Sequence, residues 1–519
     1  MKKFNYGTDH LTIGICLDIA AGKVQGVINE EAAARIHTSW KEVEKIVHTH
    51  MPVYGINTGF GPLCDTRISE EDTSLLQSNI LKSHSVGVGK PIPQEIAKLM
   101  LITKVQALAQ GYSGIAPQTL ERIIWHINND VVPVVPEKGS VGASGDLAPL
   151  SHLFLPLIGL GYVNVGDEKH PAGDILKQHN LQPLVLGPKE GLALINGTQF
   201  ILAFAIKAVE RLNNLLNTAD LIGAMSLEGL MGSGRPFDAR LHAIRPYKGT
   251  RLVAKRLAAL LEGSAIGNAH VDCDRVQDPY SLRCMPQVHG ASRNAWLHLK
   301  ELTEIELNSV TDNPVIFNAD DTISGGNFHG QPLALPLDYA TVAAAELGNI
   351  ADRRCYLMSE GRYGLPKLLT EHAGLNSGLM IPQYTTAALV TENKTFCFPA
   401  SADSVPTSLG QEDHVSMGSI SGRKLHMVLD NLEYIQAIEL LYASQAMEFR
   451  RPLQSTPVIE SLHQLVRQYV PFIKEDRIFA DDINALHQII INGEFQSIAN
   501  ETAQKHNINI TDDDEFGIY

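Results

Sequence analysis

The tripeptide Ala143-Ser144-Gly145 can do chemistry on its own backbone. Ala143 has a small side chain and Gly145 has none, so the Gly145 amide nitrogen can approach the Ala143 carbonyl carbon more closely than most sequences permit. The five-membered ring formed in this way can lose water, and loss of the Ser144 hydroxyl then leaves an exocyclic methylidene. The product would be a strong electrophile made entirely from the chain.

A tight turn is the simpler interpretation of a glycine-rich run such as 139–145. The surroundings favour the chemical interpretation. Asp146 is the only charged residue between positions 139 and 166, so we expect the loop to lie in the interior. Asp146 itself either positions the loop or caps the helix that follows it.

Five further polar segments interrupt the apolar parts of the chain, and each alone could be a helix cap or a loop. They are residues 54–61, 195–198, 277–284, 325–330 and 411–417. Their number in one otherwise apolar protein indicates a site that several segments build together.

Long stretches with apolar residues at helical spacing predict the elements that position these segments. We predict helices over 95–110, 198–218, 251–262, 289–309, 336–359, 421–449 and 481–500, and strands around 131–135 and 161–165. This pattern favours a mainly α fold, in which a bundle of long helices joins a smaller N-terminal domain that carries the loop. We place the domain boundary near residue 220, which gives domains 1–220 and 221–519.

Composition argues against several classes of function. The 519 residues carry a formal net charge of −15, whereas phosphate recognition needs a basic surface. No apolar run approaches the ~20 residues that span a bilayer, and the N-terminus lacks the apolar segment of a signal peptide. The histidines show no metal-site spacing, and we predict reduced thiols for Cys16, Cys64, Cys273, Cys284, Cys355 and Cys397. We therefore expect a cytoplasmic protein without a metal that binds neither nucleic acid nor membrane.

The Ala143-Ser144-Gly145 segment, taken with the five polar segments in this order, resembles the ammonia-lyase and aminomutase family over about residues 10–500. Members of this family build a 4-methylidene-imidazol-5-one (MIO) group from their own backbone. The resemblance implies a mainly α-helical homotetramer whose active sites draw on more than one subunit, with no external cofactor or metal. It also implies removal of ammonia from an α-amino acid, in which the electrophile bonds the amine nitrogen.

The resemblance assigns catalytic roles to residues at matching positions. Tyr54 matches the general base that takes the β-proton, for which its pKa must fall from ~10, and Glu412 is the rival base. Asn196 and Tyr280 match residues that hydrogen-bond the substrate or the oxygen of the ring, where charge develops. Arg283 matches the partner of the substrate carboxylate, because a guanidinium forms paired hydrogen bonds that a lysine cannot.

The substrate-binding positions follow from the same resemblance. His84 matches the residue that faces the substrate side chain, and Gln277 and Phe328 match residues that line the pocket. Glu412 favours an imidazole, because the ring N–H needs an acceptor and a carboxylate beside an apolar ring would be costly to bury. Segments 273–284 and 411–417 are most similar to the histidine-specific lyases, which implies conversion of L-histidine to trans-urocanate and ammonia.

Two alternatives stay open. A tyrosine or phenylalanine ammonia-lyase, or an aminomutase that returns the amine to Cβ, would keep the electrophile and change the substrate or product. A helical scaffold with an uncyclised loop would be inactive. Intact mass separates this last case, since ring formation removes two water molecules from the chain.

Overall fold

The computed structural model of the protein describes residues 2–48, 52–69, 71–269, 275–511 and 514–519. Within these ranges the chain is mainly α-helical, which confirms the predicted fold class. None of the described helices combines the length and the apolar character that a bilayer-spanning helix needs. Cys273, predicted to carry a reduced thiol, lies outside the described residues.

The described α-helices differ widely in length. They are α1 (Ile13–Ala20), α2 (Glu30–Val47), α3 (Thr73–His84), α4 (Gln94–Leu108), α5 (Pro117–Asn128), α6 (Leu147–Phe154), α7 (Ala172–Gln178), α8 (Glu190–Ile195), α9 (Gln199–Gly229), α10 (Ala239–Ala243), α11 (Lys248–Leu261), α12 (Ala265–Asn268), α13 (Tyr280–Arg283), α14 (Met285–Leu307), α15 (Gln331–Ser359), α16 (Met380–Phe396), α17 (Gly418–Glu448), α18 (Pro457–Tyr469), α19 (Phe479–Ile491) and α20 (Glu494–Lys505). Single 3₁₀ turns lie at Gly61–Leu63, Leu155–Ile158, Arg235–Phe237, Lys367–Leu369, Ala400–Ala402, Ser408–Gly410 and Asp514–Phe516.

Short strands form four small sheets in the part of the chain that the structure describes. They are β1 (Lys2–Asn5), β2 (Val24–Val27), β3 (Val88–Pro91), β4 (Val131–Pro133), β5 (Pro136–Lys138), β6 (Tyr162–Val165), β7 (Glu168–Pro171), β8 (Val315–Asn318) and β9 (Asp321–Ile323). β1 and β2 pair in parallel, with Lys2 opposite Val24. The pairs β3–β5, β4–β6, β6–β7 and β8–β9 are antiparallel, and Val131 lies opposite Val165 in the three-stranded sheet.

Long helices form the centre of the molecule. α9, α15 and α17 contain 31, 29 and 31 residues, and α17 packs against both α9 and α15. α14 packs against α9, α11 and α15. α9 is apolar around most of its circumference, which is the pattern of a helix buried on all sides. This core fixes the positions of the loops at its ends.

Most of the predicted helices are confirmed with ends that differ by a few residues, but the helix predicted to end at 218 continues to Gly229. The single helix predicted over 481–500 is wrong, because α19 ends at Ile491 and α20 begins at Glu494. Gly493 separates them with a φ of +80°, a left-handed conformation that glycine adopts readily. The boundary near residue 220 falls inside α9, and the division into domains 1–220 and 221–519 stays a prediction.

The glycine-rich loop and most of the five predicted polar segments lie at the N-terminal ends of helices. The glycine-rich loop leads into α6, and the segment 195–198 leads into α9. The segments 325–330 and 411–417 lead into α15 and α17. Helix N-termini carry unpaired N–H groups and a partial positive charge. The long helices therefore bring polar loops and positive helix ends to the same region.

Candidate active site

The glycine-rich loop has the left-handed backbone that its sequence permits. Gly142, Ser144 and Gly145 have φ values of 77°, 50° and 79°. A Cβ atom added to Gly145 would lie 2.0 Å from the Gly197 carbonyl oxygen, so position 145 tolerates only glycine. The close approach of these two segments holds Ser144, a non-glycine residue, in a conformation that costs roughly 1 kcal/mol or more.

Asp146 connects the loop to the central bundle. It occupies the position before α6, yet its carboxylate does not cap that helix. Its Oδ2 atom accepts hydrogen bonds from the backbone N–H groups of Phe200 (3.1 Å) and Ile201 (3.0 Å), in the first turn of α9. Burial raises the pKa of Asp146 to about 7, although these hydrogen bonds act in the opposite direction. Asp146 thus positions the loop by capping a different helix from the one predicted.

The Ser144 carbonyl oxygen accepts two hydrogen bonds. The Asn196 side-chain Nδ2 donates at 2.9 Å, and the Gly197 backbone N–H donates at 3.4 Å. If the loop cyclises, Ala143 loses its oxygen and the Ser144 carbonyl oxygen remains on the ring. Two donors therefore already face the atom on which negative charge would develop.

Lys104 in α4 stabilises the segment that carries the two donors, Asn196 and Gly197. Its side chain is fully buried, and Nζ donates to the Asn196 carbonyl oxygen at 2.6 Å and to the Gln199 Oε1 atom at 3.4 Å. Burial lowers the pKa of Lys104 to about 7. The contact fixes the backbone on which the Asn196 side chain is carried.

Glu412 reaches the loop from the segment that precedes α17. Its Oε1 atom accepts a hydrogen bond from the Ser144 hydroxyl at 2.8 Å. Its Oε2 atom accepts hydrogen bonds from the hydroxyls of Thr407 (2.9 Å) and Ser408 (2.7 Å). The carboxylate is therefore held beside the serine that would form the electrophile.

Tyr54 and His84 face the same carboxylate from the N-terminal part of the chain. The Tyr54 hydroxyl oxygen accepts a hydrogen bond from the Gly61 backbone N–H at 3.1 Å. The pKa of Tyr54 is raised, chiefly by burial and further by the negative charge of Glu412. This is the opposite direction from the one that a general base near neutral pH requires. Burial is also the main reason why the pKa of His84 is lowered.

Two adjoining cavities, each of about 550 Å³, share Tyr54, Gly61, Ser144 and Glu412 as lining residues. One extends to His84 and is lined largely by the apolar side chains of Leu63, Ile68, Leu76, Ile80, Leu147 and Leu192. The other extends to Asn196 and Phe328 and is lined mainly by polar residues. The structure thus brings Tyr54, His84, Ala143, Ser144, Asn196, Phe328 and Glu412 together in one site.

Comparison with known proteins gives this site its context. The profile of the family described as aromatic amino acid lyase matches residues 11–468. A histidine ammonia-lyase of Symbiobacterium thermophilum is 46% identical over 487 residues, which are 93% of this chain and 96% of the relative. The chain belongs to the aromatic amino acid lyase family.

Solved structures agree with this membership. The crystal structure of a histidine ammonia-lyase from Trypanosoma cruzi superposes with a TM-score of 0.89 at 41% identity, covering 97% of this chain and 96% of that one. A tyrosine aminomutase from Streptomyces globisporus superposes with a TM-score of 0.91 at 34% identity, covering 96% and 98%. The chain is therefore a lyase-family protein over almost its whole length.

In this aromatic amino acid lyase chain, three predicted site residues lie away from Ser144. Gln277 and Arg283 line a separate cavity of about 710 Å³, and Tyr280 on α13 is 71% exposed. The Arg283 guanidinium lies 4.6 Å from the centroid of the Tyr280 ring, and its Nε atom donates to the Asp278 carbonyl oxygen at 3.0 Å. Among the described residues, no carboxylate pairs with Arg283. Its terminal nitrogens can therefore receive an anionic ligand.

The sequence interpretation missed three residues of the candidate site. Thr407 and Ser408 donate hydrogen bonds to Glu412, but they precede the predicted polar segment 411–417. A short turn brings them to the carboxylate, and no residue spacing in the sequence indicates that turn. Lys104 did leave a signal, since it is a lysine inside an apolar helical stripe, where a charge needs a buried partner.

Proposed function

We propose that this chain is a histidine ammonia-lyase, which converts L-histidine to trans-urocanate and ammonia without a metal or an external cofactor. The observation that carries the proposal is the position of Glu412, whose Oε1 atom lies 2.8 Å from the Ser144 hydroxyl oxygen. The cavity between this carboxylate and His84 takes the substrate side chain. An imidazole N–H can donate a hydrogen bond to Glu412, whereas a phenyl ring would leave the carboxylate without a hydrogen-bond donor.

The loop residues fit the autocatalytic formation of MIO from Ala143-Ser144-Gly145. Gly145 has no side chain that would hinder the approach of its nitrogen, and the loop is already bent through left-handed conformations. Once formed, the group supplies the electrophile that bonds the amine nitrogen. Asn196 and the Gly197 N–H stabilise negative charge on the Ser144 carbonyl oxygen, which both already contact.

Tyr54 is assigned the removal of the β-proton. The Gly61 N–H donates to its hydroxyl oxygen and thereby favours the phenolate. Burial and Glu412 hold the pKa of Tyr54 above its usual value in the single chain. A positive group placed against this cavity would lower that pKa, and α13 carries such a group in Arg283. Glu412, the rival base, then serves as the acceptor for the imidazole N–H.

Assembly into a homotetramer is part of the same proposal. Arg283, Tyr280 and Gln277 would reach the Ser144 cavity from another copy of the chain, where Arg283 would bind the substrate carboxylate. α15 offers a surface for assembly, because Leu335, Tyr339 and Val342 are about half exposed at helical spacing. A cytoplasmic location also belongs to the proposal, in keeping with the free thiols of Cys16, Cys64, Cys284, Cys355 and Cys397.

The test supplies L-histidine, L-tyrosine and L-phenylalanine separately to the purified protein and follows ammonia and the conjugated acid. Urocanate from histidine, with little product from the other two, is the expected result. Coumarate or cinnamate alone would contradict the assigned substrate and keep the electrophile. A β-amino acid in place of ammonia would identify an aminomutase, the alternative that the similarity to a tyrosine aminomutase favours. An inactive protein whose intact mass shows no loss of water would be a scaffold.

A further inference from the structure

We propose that Thr407 and Ser408 are positioning residues that hold Glu412 for the imidazole of the substrate. Their hydroxyls donate to the same carboxylate oxygen, Oε2, at 2.9 Å and 2.7 Å. Among the described residues, the other oxygen, Oε1, accepts a hydrogen bond only from the Ser144 hydroxyl, at 2.8 Å. The two oxygens of Glu412 therefore have different tasks. This inference deepens the proposed function and rests on it.

The backbone of this turn is built to present the two hydroxyls. The Thr407 N–H donates to the Glu412 carbonyl oxygen at 2.9 Å, which closes the turn. Ser408 and Leu409 have φ values of 49° and 56°, in the left-handed region that non-glycine residues rarely adopt. Leu409 is 95% exposed, so burial of its side chain does not compensate for the strain. The contacts to Glu412 are the interactions that the turn makes possible.

Ring formation changes the two oxygens of Glu412 unequally. The Ser144 hydroxyl leaves as water together with the Ser144 Cα proton, and Oε1 loses the donor that it has in the uncyclised chain. Oε2 keeps both of its donors, so the carboxylate cannot rotate freely to bring that oxygen forward. Oε1 is left as a single oriented acceptor that faces the cavity beside His84. One N–H of an imidazole matches this arrangement, and a phenyl ring does not.

Other titratable groups also face Glu412. Tyr54 and His84 approach it from the N-terminal part of the chain, and both interact with its charge. Asp413 and His414 follow it in the same segment, and both line the polar cavity. Variants of Thr407 and Ser408 leave all four groups in place, so a change in histidine binding on substitution reports on the hydroxyls.

Binding to a chain that cannot cyclise tests the inference without turnover. In a Ser144→Ala background, which lacks the Ser144 hydroxyl and the ring, L-histidine and L-phenylalanine are titrated by calorimetry near neutral pH. We expect the added pair Thr407→Val and Ser408→Ala to weaken histidine binding about 10- to 100-fold, the loss of one or two hydrogen bonds to a charged acceptor. Phenylalanine binding should stay within about twofold.

A conservative variant separates positioning from mere structural support. Thr407→Ser with Ser408 intact keeps both hydroxyls. Compared with the double variant, it should therefore restore most of the affinity for histidine. Thr38→Val removes an exposed hydroxyl from α2 and serves as the matched control that changes nothing.

The outcomes distinguish this inference from the proposed function. Unchanged histidine binding in the double variant, or an equal loss for histidine and phenylalanine, would overturn the positioning role and leave the proposed function intact. Failure of Thr407→Ser to restore affinity would also overturn it. If the unsubstituted protein neither binds nor deaminates L-histidine, the proposed function fails and the inference fails with it. In the cyclising background, the intact mass of the double variant should still show the loss of two water molecules.

Discussion

The surroundings of Ser144 and those of Arg283 differ in how far a single chain completes them. Ser144 lies among hydrogen-bond donors and acceptors, with Glu412 on its hydroxyl and the buried Asn196 on its carbonyl oxygen. Arg283 lies beside the exposed Tyr280 ring, and no carboxylate among the described residues pairs with it. The first region is organised for chemistry before any ligand arrives, and the second is organised to receive one. A site divided in this way makes activity depend on how chains assemble.

The largest effect expected on the Ser144 region comes from removing the electrophile. Ser144→Ala should lower turnover of histidine by at least about 10³-fold, since loss of a covalent group removes the step that the rest of the site supports. Asp146 still caps α9 in this variant, so the far-ultraviolet circular dichroism and the oligomeric state should not change. The intact mass should show no loss of water. A fully active variant would refute the covalent mechanism.

A mixture of two inactive variants tests whether Ser144 and Arg283 act together from different chains. Arg283→Met should lower kcat/KM by on the order of 10²- to 10³-fold, because it leaves the substrate carboxylate without its charged partner. Ser144→Ala and Arg283→Met chains are then co-expressed with different tags, and oligomers that carry both are purified. If each site combines Ser144 of one chain with Arg283 of another, roughly one quarter of normal activity should return.

The control for this experiment combines both substitutions in one chain and mixes it with the unsubstituted chain. That mixture separates dilution of active chains from true complementation. Mixed oligomers of the two single variants that stay as inactive as their parents would show that one chain supplies both regions. The structure of the single chain would then have to change on ligand binding to bring α13 to Ser144.

Glu412→Gln is expected to have a smaller effect, which depends on the substrate. Thr407 and Ser408 donate hydrogen bonds, so they should draw the amide oxygen of the glutamine toward themselves and turn its NH2 group toward the substrate. A donor would then face the imidazole N–H, and kcat/KM for histidine should fall on the order of 10²-fold. The ratio of tyrosine or phenylalanine turnover to histidine turnover should rise. An unchanged ratio would show that Glu412 does not select the substrate.

The same two regions show what could be predicted from the sequence. Apolar spacing predicted the long helices, because their buried faces repeat every three to four residues, and the helix ends then placed Asn196, Phe328 and Glu412 near Ser144. The break at Gly493 was missed, because apolar residues continue on both sides of it. The role of Thr407 depends on a turn with left-handed residues that are not glycine, and propensity argues against such a turn. The separation of Arg283 from Ser144 depends on packing across the whole bundle, which no local pattern reports.

The smallest expected effect concerns the stability of the loop region and its dependence on pH. Burial raises the pKa of Asp146 from 3.8 to about 7. The folded chain therefore binds a proton that the unfolded chain has released, so the stabilisation is full below pH 3.8 and is lost as pH rises through about 7. Between these values the free energy of unfolding should fall by about 1.4 kcal/mol per pH unit, which shifts the thermal midpoint of a chain of this size by on the order of 1 °C.

Asp146→Asn keeps an oxygen for the Phe200 and Ile201 N–H groups and should abolish this slope. Lys104, whose pKa burial lowers to about 7, gives the opposite dependence above pH 7, because the unfolded chain there holds the proton. Thermal midpoints of both proteins from pH 5 to 8 isolate the Asp146 contribution as their difference. A difference that stays constant over this range would show that Asp146 is ionised in the folded chain throughout.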